Sequence, residues 1–473
     1  MFEHENDTIA AVCTGTGGAV SIIRISGPHA LDTVRLIWHG KRMPGPDCPR
    51  IMLYGHIVSG AGGAGEPSLA VFMPAPHSFT GEDVAEIHCH GGSFAARRTL
   101  RLALQSGARL AQNGEFTRRA FLNGKLDLTQ AEGILDLINA GSERAGLLAE
   151  SQLNGAVGSL VREIRQEIVH LLSECESRLD FSEENLDWMP PEAFRGHVRE
   201  LRKRTAELAL TARTGTLIRD GISLVIAGPP NAGKSSLLNR MLGYDRAIVT
   251  PIPGTTRDTL EESVSIGGIR FRVTDTAGLR DAEHADPVEA IGMERSQQSL
   301  GTADIVLWLL DASAPADSFP AQIAAMDHAS AGIRGKFIPC WNKMDGASAG
   351  PGILDHAGSA IGNDARPCPI FEHISALNGD GLDRLFRRLE ETAWEGLPPA
   401  AQSGGAAVSE RHAALLEQAA NHLDAAGESA GQESWELAGS SLRTAAELIG
   451  CITGETATPD ILDEIFSRFC IGK

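Results

Sequence analysis

Residues 228 to 235 read Gly-Pro-Pro-Asn-Ala-Gly-Lys-Ser, a spacing in which small residues let backbone N–H groups wrap around phosphate oxygens. In that pattern Lys234 reaches the outer phosphates and the Ser235 hydroxyl holds Mg²⁺. Alone, such a loop says only that a nucleoside triphosphate binds. Asp275-Thr276-Ala277-Gly278 adds a carboxylate near the metal and a glycine free to meet the γ-phosphate, which is a sensor for the third phosphate. Asn342-Lys343-Met344-Asp345 adds Asp345, a carboxylate able to accept from the ring N–H and the exocyclic amine of guanine, where adenine presents the opposite pattern. Ser375-Ala376 supplies a backbone contact to the guanine oxygen. Each short motif alone reads equally well as an ordinary loop; all four in order, each after an apolar run, predict GTP hydrolysis.

The elements that must hold these residues are legible beside them. Leu224-Val225-Ile226-Ala227 precedes the phosphate loop and the helix-forming SSLLNRML follows it, so a helix N-terminus is aimed at the anion. Ile269 to Val273 alternates, Lys336 to Trp341 reads as a buried strand, and Ile370 to Ile374 as another. This alternation of strands and helices, running to about residue 395, indicates a parallel sheet with helices on both faces. Before it, up to about residue 123, short β-type runs such as Val20-Ser21-Ile22-Ile23-Arg24-Ile25 and Val84-Ala85-Glu86-Ile87 sit between Gly- and Pro-rich turns, the pattern of an α+β module. From Leu126 to about Leu217 the spacing is helical (Leu128, Ile134, Leu135, Leu137, Ile138; then Leu160, Val161, Ile164, Ile168, Leu171), and it returns from about Ser409 to Phe469. One helical domain interrupted by the GTPase is the simplest arrangement. Its 473 residues suit about three domains, and a GTPase whose two ends enter one helical body can transmit its state mechanically.

The glutamine that many GTPases use to orient water is replaced by Leu279. Asp281, Glu283, Asp286, Glu289 and Glu294 are replacements within reach, or a solvated acidic segment; Arg257 and Arg280 are internal arginine fingers or partners of neighbouring acids. A hydroxyl of Thr255 or Thr256 is expected on Mg²⁺. Asn231 offers an oxygen beside the phosphates, where a monovalent cation could replace a finger's charge, or simply braces the loop. In the first module, His88, Cys89 and His90 invite a metal reading. On a strand, however, the two histidines share a face that Cys89 leaves, and a structural turn is the preferred reading. Glu86 stands out on an otherwise apolar strand. Cys470 reads as a nucleophile or as a packed C-terminal cysteine.

A net charge of −19 argues against a general nucleic-acid coat; RNA contact needs a local patch, such as Arg195, Arg199, Arg202, Lys203 and Arg204, or a partner, and that stretch reads equally as a solvated face. The eight cysteines show neither disulfide nor zinc spacing, which suggests a reducing cytosol. The acidic N-terminus does not resemble a signal peptide and no apolar run approaches a membrane span, so a soluble, cytoplasmic protein is expected.

The strand Arg24-Ile25-Ser26-Gly27, SFTGEDVAEIHCHGG at 78 to 92, GEFTRRAFLNGKLDLTQAEG at 114 to 133, the central GTPase motifs and the terminal CIGK together resemble the tRNA uridine 5-carboxymethylaminomethyl modification GTPases over essentially the whole chain. The resemblance implies a multidomain α/β and all-α protein. Its parts would be an α+β, folate-binding-like and dimerising N-terminal domain (1–123), a discontinuous helical domain (124–217 and 396–473) and an inserted Ras-like P-loop GTPase domain (218–395). It further implies a homodimer, in a heterotetramer-like complex with an FAD-dependent subunit, that modifies C5 of the wobble uridine of certain tRNAs. The one-carbon unit would come from 5-formyl- or 5,10-methylene-tetrahydrofolate, and potassium-dependent contact between G domains would drive the cycle. GTP would meet Asn231, Ala232, Gly233, Lys234, Ser235, Ser236, Thr250, Pro251, Ile252, Pro253, Gly254, Thr255, Thr256, Asp275, Thr276, Ala277, Gly278, Asn342, Lys343, Asp345, Ser375 and Ala376. Potassium would sit among Asn231, Thr250, Ile252 and Thr255, and Mg²⁺ on Ser235 and Thr256. Glu289 would orient the water, and Cys470 would take part in the modification. Arg24, Glu86, Lys125 and Lys473 would bind folate. The chain departs from the family at Thr14-Gly15-Thr16, usually Pro-Pro-Gly, and at Pro251, usually an aspartate. Proline fixes φ and removes an N–H, but the potassium loop contributes carbonyls, so the site is expected to survive. The competing reading is a GTPase switch in ribosome assembly or signalling whose first domain recruits a partner.

Overall fold

The alternating runs of the first 110 residues pair into a seven-stranded sheet in the computed structural model, which describes residues 7–15, 17–58, 65–181, 187–244, 262–275, 300–330, 333, 335–354, 370–395 and 406–473. Two compact units form: one from Met1–Leu135, Ser151–Ala209 and Arg411–Lys473, the other from Asp136–Glu150 and Leu210–Glu410.

In the first unit, β1 (Ile9–Val12), β2 (Val20–Ser26), β3 (Trp38–Gly40), β4 (Leu53–Ile57), β5 (Glu66–Met73), β6 (Val84–His90) and β7 (Arg109–Leu110) lie in the order β3-β4-β5-β6-β2-β1-β7. All pairs are antiparallel except β1 with β7. Period-two alternation sends Ile23, Ile25, Phe72 and Ile87 to one face, where Val34 and Ile37 of the helix Ala30–Ile37 and Ala103 of the helix Ser93–Gln105 complete the core. A charged knot ties the ends of this layer. Arg119 donates to Asp7 (2.5 Å), Glu115 and Glu82 (both 3.2 Å), and Arg109 to Asp7 and Glu115 (both 2.7 Å). Although burial alone raises their pKa, the two guanidinium groups hold the carboxyls of Asp7 and Glu115 below their ordinary values.

The helical part joins segments far apart in sequence. The helix Ala156–Asp180 buries Val157, Val161, Ile164, Ile168, Leu171 and Cys175, a stripe at helical spacing, and packs along the helix Trp435–Thr453, which buries Ala438, Leu442, Ala445 and Ile449. Phe194 meets Trp435 edge to face at 5.3 Å. In the same body Glu132 lies 2.7 Å from His412 Nε2 and 2.9 Å from Arg411 Nε. Burial pushes the Glu132 carboxyl up, but the charges and hydrogen bonds of His412 and Arg411 outweigh it and bring the pKa down to about 2. The helix Pro459–Ser467 then packs Leu462, Ile465 and Phe466, with Phe469, against Leu128 and Ala131.

In the second unit, β8 (Ile222–Ala227), β9 (Glu262–Ile266), β10 (Ile269–Asp275), β11 (Ile305–Asp311), β12 (Lys336–Asn342) and β13 (Glu372–His373) take the order β13-β12-β11-β8-β10-β9, parallel except for the β9–β10 hairpin. Leu224 and Ile226 face one core with Leu237, Met241, Leu385 and Leu389; Val225 and Ala227 face the other with Phe319, Ile323 and Met326. Burial of β8 on both faces explains its unbroken apolar run. The strand expected over Ile370 to Ile374 shortens to two residues. Segments that sequence spacing groups with the helical domain also pack here. Ala145 and Leu148 meet Ile218 and Ala407 in one cluster, and Arg219 pairs with Asp136 at 2.8 Å.

A low folded-state pKa means that Glu132 stabilises the protein fully above its ordinary value of 4.5 and that this contribution is lost as pH falls towards about 2. Glu132→Gln should therefore cost about 3 kcal/mol at pH 7, the scale for removing one partner of a buried pair. Urea unfolding should show the gap from the unsubstituted protein narrowing below pH 4.5.

Candidate functional site

β8 delivers the chain into the phosphate loop, and the helix Lys234–Tyr244 leaves it with Ser235 and Ser236 in its first turn. Gly233 adopts φ +91°, and a Cβ there would stand 2.3 Å from Asn342 Nδ2, so no larger residue fits. Asn231 takes a left-handed backbone, φ +62°, which Asn tolerates better than most residues. Its exposed side chain makes no hydrogen bond among the described residues and remains available for a ligand. Lys234 Nζ donates to the carbonyls of Gly228 (3.1 Å) and Pro229 (2.9 Å), which hold it over the loop.

At the end of β12 the Asn342 amide is buried and engaged at both ends: Nδ2 donates to Ala232 O at 2.8 Å, and Oδ1 accepts from Ala376 N at 2.9 Å. It clamps the phosphate loop to the loop at Ser375 and Ala376. Asn342, expected at the nucleotide, thus also braces the frame around it. Asp345 accepts from Ser375 Oγ at 2.5 Å, and that hydroxyl in turn accepts from Asn378 N. Lys343, also left-handed at φ +64°, pairs with Asp311 at 2.7 Å. Burial pushes Asp311 up, but Lys343 and the Ser313 donors outweigh it and hold the carboxyl low. Sequence reasoning missed Asp311, although it ends an apolar run as Asp275 does.

On the N-terminal sheet, strand register sets Arg24 opposite Glu86. Arg24 Nε donates to Glu86 Oε1 at 2.8 Å, and His88 Nε2 lies 3.3 Å from Oε2. Burial raises the Glu86 pKa, but His88 and Arg24 outweigh it, so the group stays an ionised acceptor. The guanidinium of Arg24 lies 5.2 Å from the Phe79 ring and 5.7 Å from that of Phe116. The C-terminal tail closes on the same sheet: Phe116 N donates to Lys473 O (3.2 Å), Gly114 N to Cys470 O (3.4 Å), and a Cβ on Gly472 would strike Val12 O at 2.3 Å. Cys13, which no local motif singles out, sits here too. Burial pushes its thiol up while Arg24 and Lys473 pull against that. Lys125 Nζ donates to Pro76 O at 3.0 Å, and its stem lies against Gly81, in the segment that carries Phe79. Cys470 is exposed. The histidine pair divides its partners, His88 with Glu86 and His90 with Glu66, while Cys89 is buried and donates to Ser21 O.

A family model for the MnmE helical domain matches residues 128–470, and one for the N-terminus of the GTP-binding protein TrmE matches residues 8–125. The tRNA modification GTPase MnmE of Chloroflexus aurantiacus is 42% identical over 470 residues, which cover 99% of this chain and 100% of that one. Its counterpart from Symbiobacterium thermophilum is 41% identical over 475 residues and 99% of each chain. This chain belongs to the tRNA modification GTPase family.

Membership in the tRNA modification GTPases makes it a GTP hydrolase of tRNA modification. Of the remaining expected residues, Asp275 closes β10. Thr250, Pro251, Ile252, Pro253, Gly254, Thr255, Thr256, Thr276, Ala277, Gly278 and Glu289 lie outside the described residues. No described helix is long and apolar enough to cross a membrane.

Asn342→Ala would leave the Ala232 carbonyl and the Ala376 N–H unpaired, at about 1–3 kcal/mol for each buried group. Affinity for GTP and for GDP should fall together, by at least about tenfold, in equilibrium titration; loss for GTP alone would contradict a brace shared by both nucleotides.

Proposed function

We propose that the chain hydrolyses GTP within a cytoplasmic tRNA-modifying assembly that places a carboxymethylaminomethyl-type group on C5 of the wobble uridine, U34. The observation that carries this reading is the Arg24–Glu86–His88 cluster on the N-terminal sheet, with the exposed Phe79 ring beside Arg24, in the same chain as the motifs of a guanine-nucleotide site. A pterin ring presents a flat face and an edge of N–H donors. The ionised Glu86 suits that edge, the exposed Phe79 ring suits the face, and Lys125 and Lys473 suit the glutamate carboxylates of a reduced folate. Arg24 orients Glu86. When bound, the folate supplies the one-carbon unit.

At the other site Lys234 and the loop N–H groups neutralise the phosphates, and Asp345 selects guanine. Ser235, in the first helical turn, fits a Mg²⁺ ligand, with Thr256 as its expected companion. Asn231, with an uncommitted amide beside the phosphates, fits a K⁺ ligand together with Thr250, Ile252 and Thr255. Glu289 orients the attacking water in this reading. A homodimer, with an FAD-dependent subunit supplying the redox chemistry, completes the proposed assembly, and K⁺ draws the G domains together during the cycle.

Mass analysis of tRNA from cells lacking the chain should show unmodified U34 in the substrate tRNAs; an unchanged nucleoside profile overturns the reading in favour of a GTPase switch in ribosome assembly or signalling. In the purified protein, Arg24→Ala should weaken binding of 5-formyl-tetrahydrofolate at least about tenfold while sparing GTP affinity. GTP hydrolysis should run faster in potassium than in sodium, and Asn231→Ala should abolish that difference. Equal rates in the two salts for the unsubstituted protein would remove the cation from the mechanism.

A further inference from the structure

We propose that the exposed face of the helix Ser93–Gln105 is an RNA-binding surface on which arginines meet backbone phosphates and Phe94 stacks on a base. The inference rests on the tRNA-modifying reading above and gives it a place on this chain.

The helix buries Ala96, Thr99 and Ala103 against the sheet. Its outward stripe, at i, i+3, i+4 and i+7, is Phe94, Arg97, Arg98 and Arg101. The helix contains no Asp or Glu. Among the described residues neither Arg97 nor Arg101 forms an ion pair, and Arg97 donates only to the carbonyl and hydroxyl of Ser93, one turn back on the same helix. In a chain of net charge −19, Arg97 and Arg101, exposed on one face with no acid on their helix and no ion pair among the described residues, form a local positive field. Phe94 is 75% exposed at the head of this stripe. An apolar ring set among guanidinium groups suits a polyanion that also offers flat faces, which is single-stranded or looped RNA.

The basic stretch prominent in the sequence does not share this character. Arg195 pairs with Glu192, Arg202 with Asp424, Lys203 with Glu207 and Arg204 with Glu167. Only Arg199, exposed and without an ion pair among the described residues, keeps an unopposed charge there; a phosphate at the other four would compete with their carboxylates.

The test is salt-dependent binding of an unmodified tRNA transcript to the full-length protein. Alanine is a strong helix former at exposed helix sites, so Arg97→Ala/Arg101→Ala should keep the fold and the intrinsic GTP hydrolysis. It should weaken binding roughly tenfold at low salt and reduce the slope of log affinity against log salt by about 1.4–1.8, the loss of two phosphate contacts. Phe94→Ala should weaken binding at least about fivefold with the slope unchanged. Arg202→Ala/Arg204→Ala should change neither quantity. If the wild type binds tRNA and the Arg97/Arg101 variant matches it in affinity and slope, this surface is overturned while the wobble-uridine reading stands. A wild type that binds no tRNA, or a variant that loses only a protein partner, overturns it too. The wobble reading is judged separately by U34 analysis in cells.

Discussion

A carboxylate buried among helices cannot stand alone, and Glu132 is the point at which this chain meets that constraint. Its partners, Arg411 and His412, lie about 280 residues further along, so the ion pair forms only when the segment after the nucleotide-binding insertion returns to the segment before it. The desolvation that would otherwise expel the charge is offset by two hydrogen-bonded neighbours. The rest of the first unit follows from that return. The helix Trp435–Thr453 lies along Ala156–Asp180, Phe466 and Phe469 fill the space beside Leu128, and the final residues reach the N-terminal sheet. A C-terminal lysine can therefore act on the same Cys13 thiol as an arginine from β2.

The nucleotide site shows a second use of one fully paired polar group. Asn342 belongs to a motif read as a base contact, yet both ends of its amide are engaged by backbone from two other loops. The consequence reaches function through geometry. The loop at Ala232 and the loop at Ala376 are tied through one side chain and cannot shift independently. The left-handed backbones at Asn231 and Lys343 store local strain where ligand contacts converge, as is common at such sites. That strain is held by the strands behind it, β8 and β12, both buried in the sheet.

Charge is distributed with similar economy. The first unit uses arginines mostly as internal ties, in the knot of Arg109 and Arg119 with Asp7, Glu82 and Glu115 and in the pairs along 192–204. Against this background, an arginine without a carboxylate partner carries more information than an arginine-rich stretch of sequence. Local spacing reports how many positive groups a segment has, whereas the surface field depends on which of them a folded neighbour has neutralised.

The order of the phosphate, sensor and guanine motifs, the buried strands before them and the helical spacing on either side were legible in the sequence, because each depends on residues within a few positions of one another. So was the strand carrying Glu86, since a charged residue in an apolar alternation is visible locally. The pairing of Arg24 with Glu86 needed the β2–β6 register, and the place of Cys13 needed the tail to fold back over 450 residues. The bracing role of Asn342, the pairing of Arg202 with Asp424 and of Arg204 with Glu167, and the docking of Ala145 and Leu148 with Ile218 were likewise settled by long-range packing. Residue type and short spacing determined which chemistry the chain can perform. Only tertiary structure decided which groups are paired, buried or left free to perform it, because burial and electrostatic pairing are set by neighbours in space that sequence distance does not reveal.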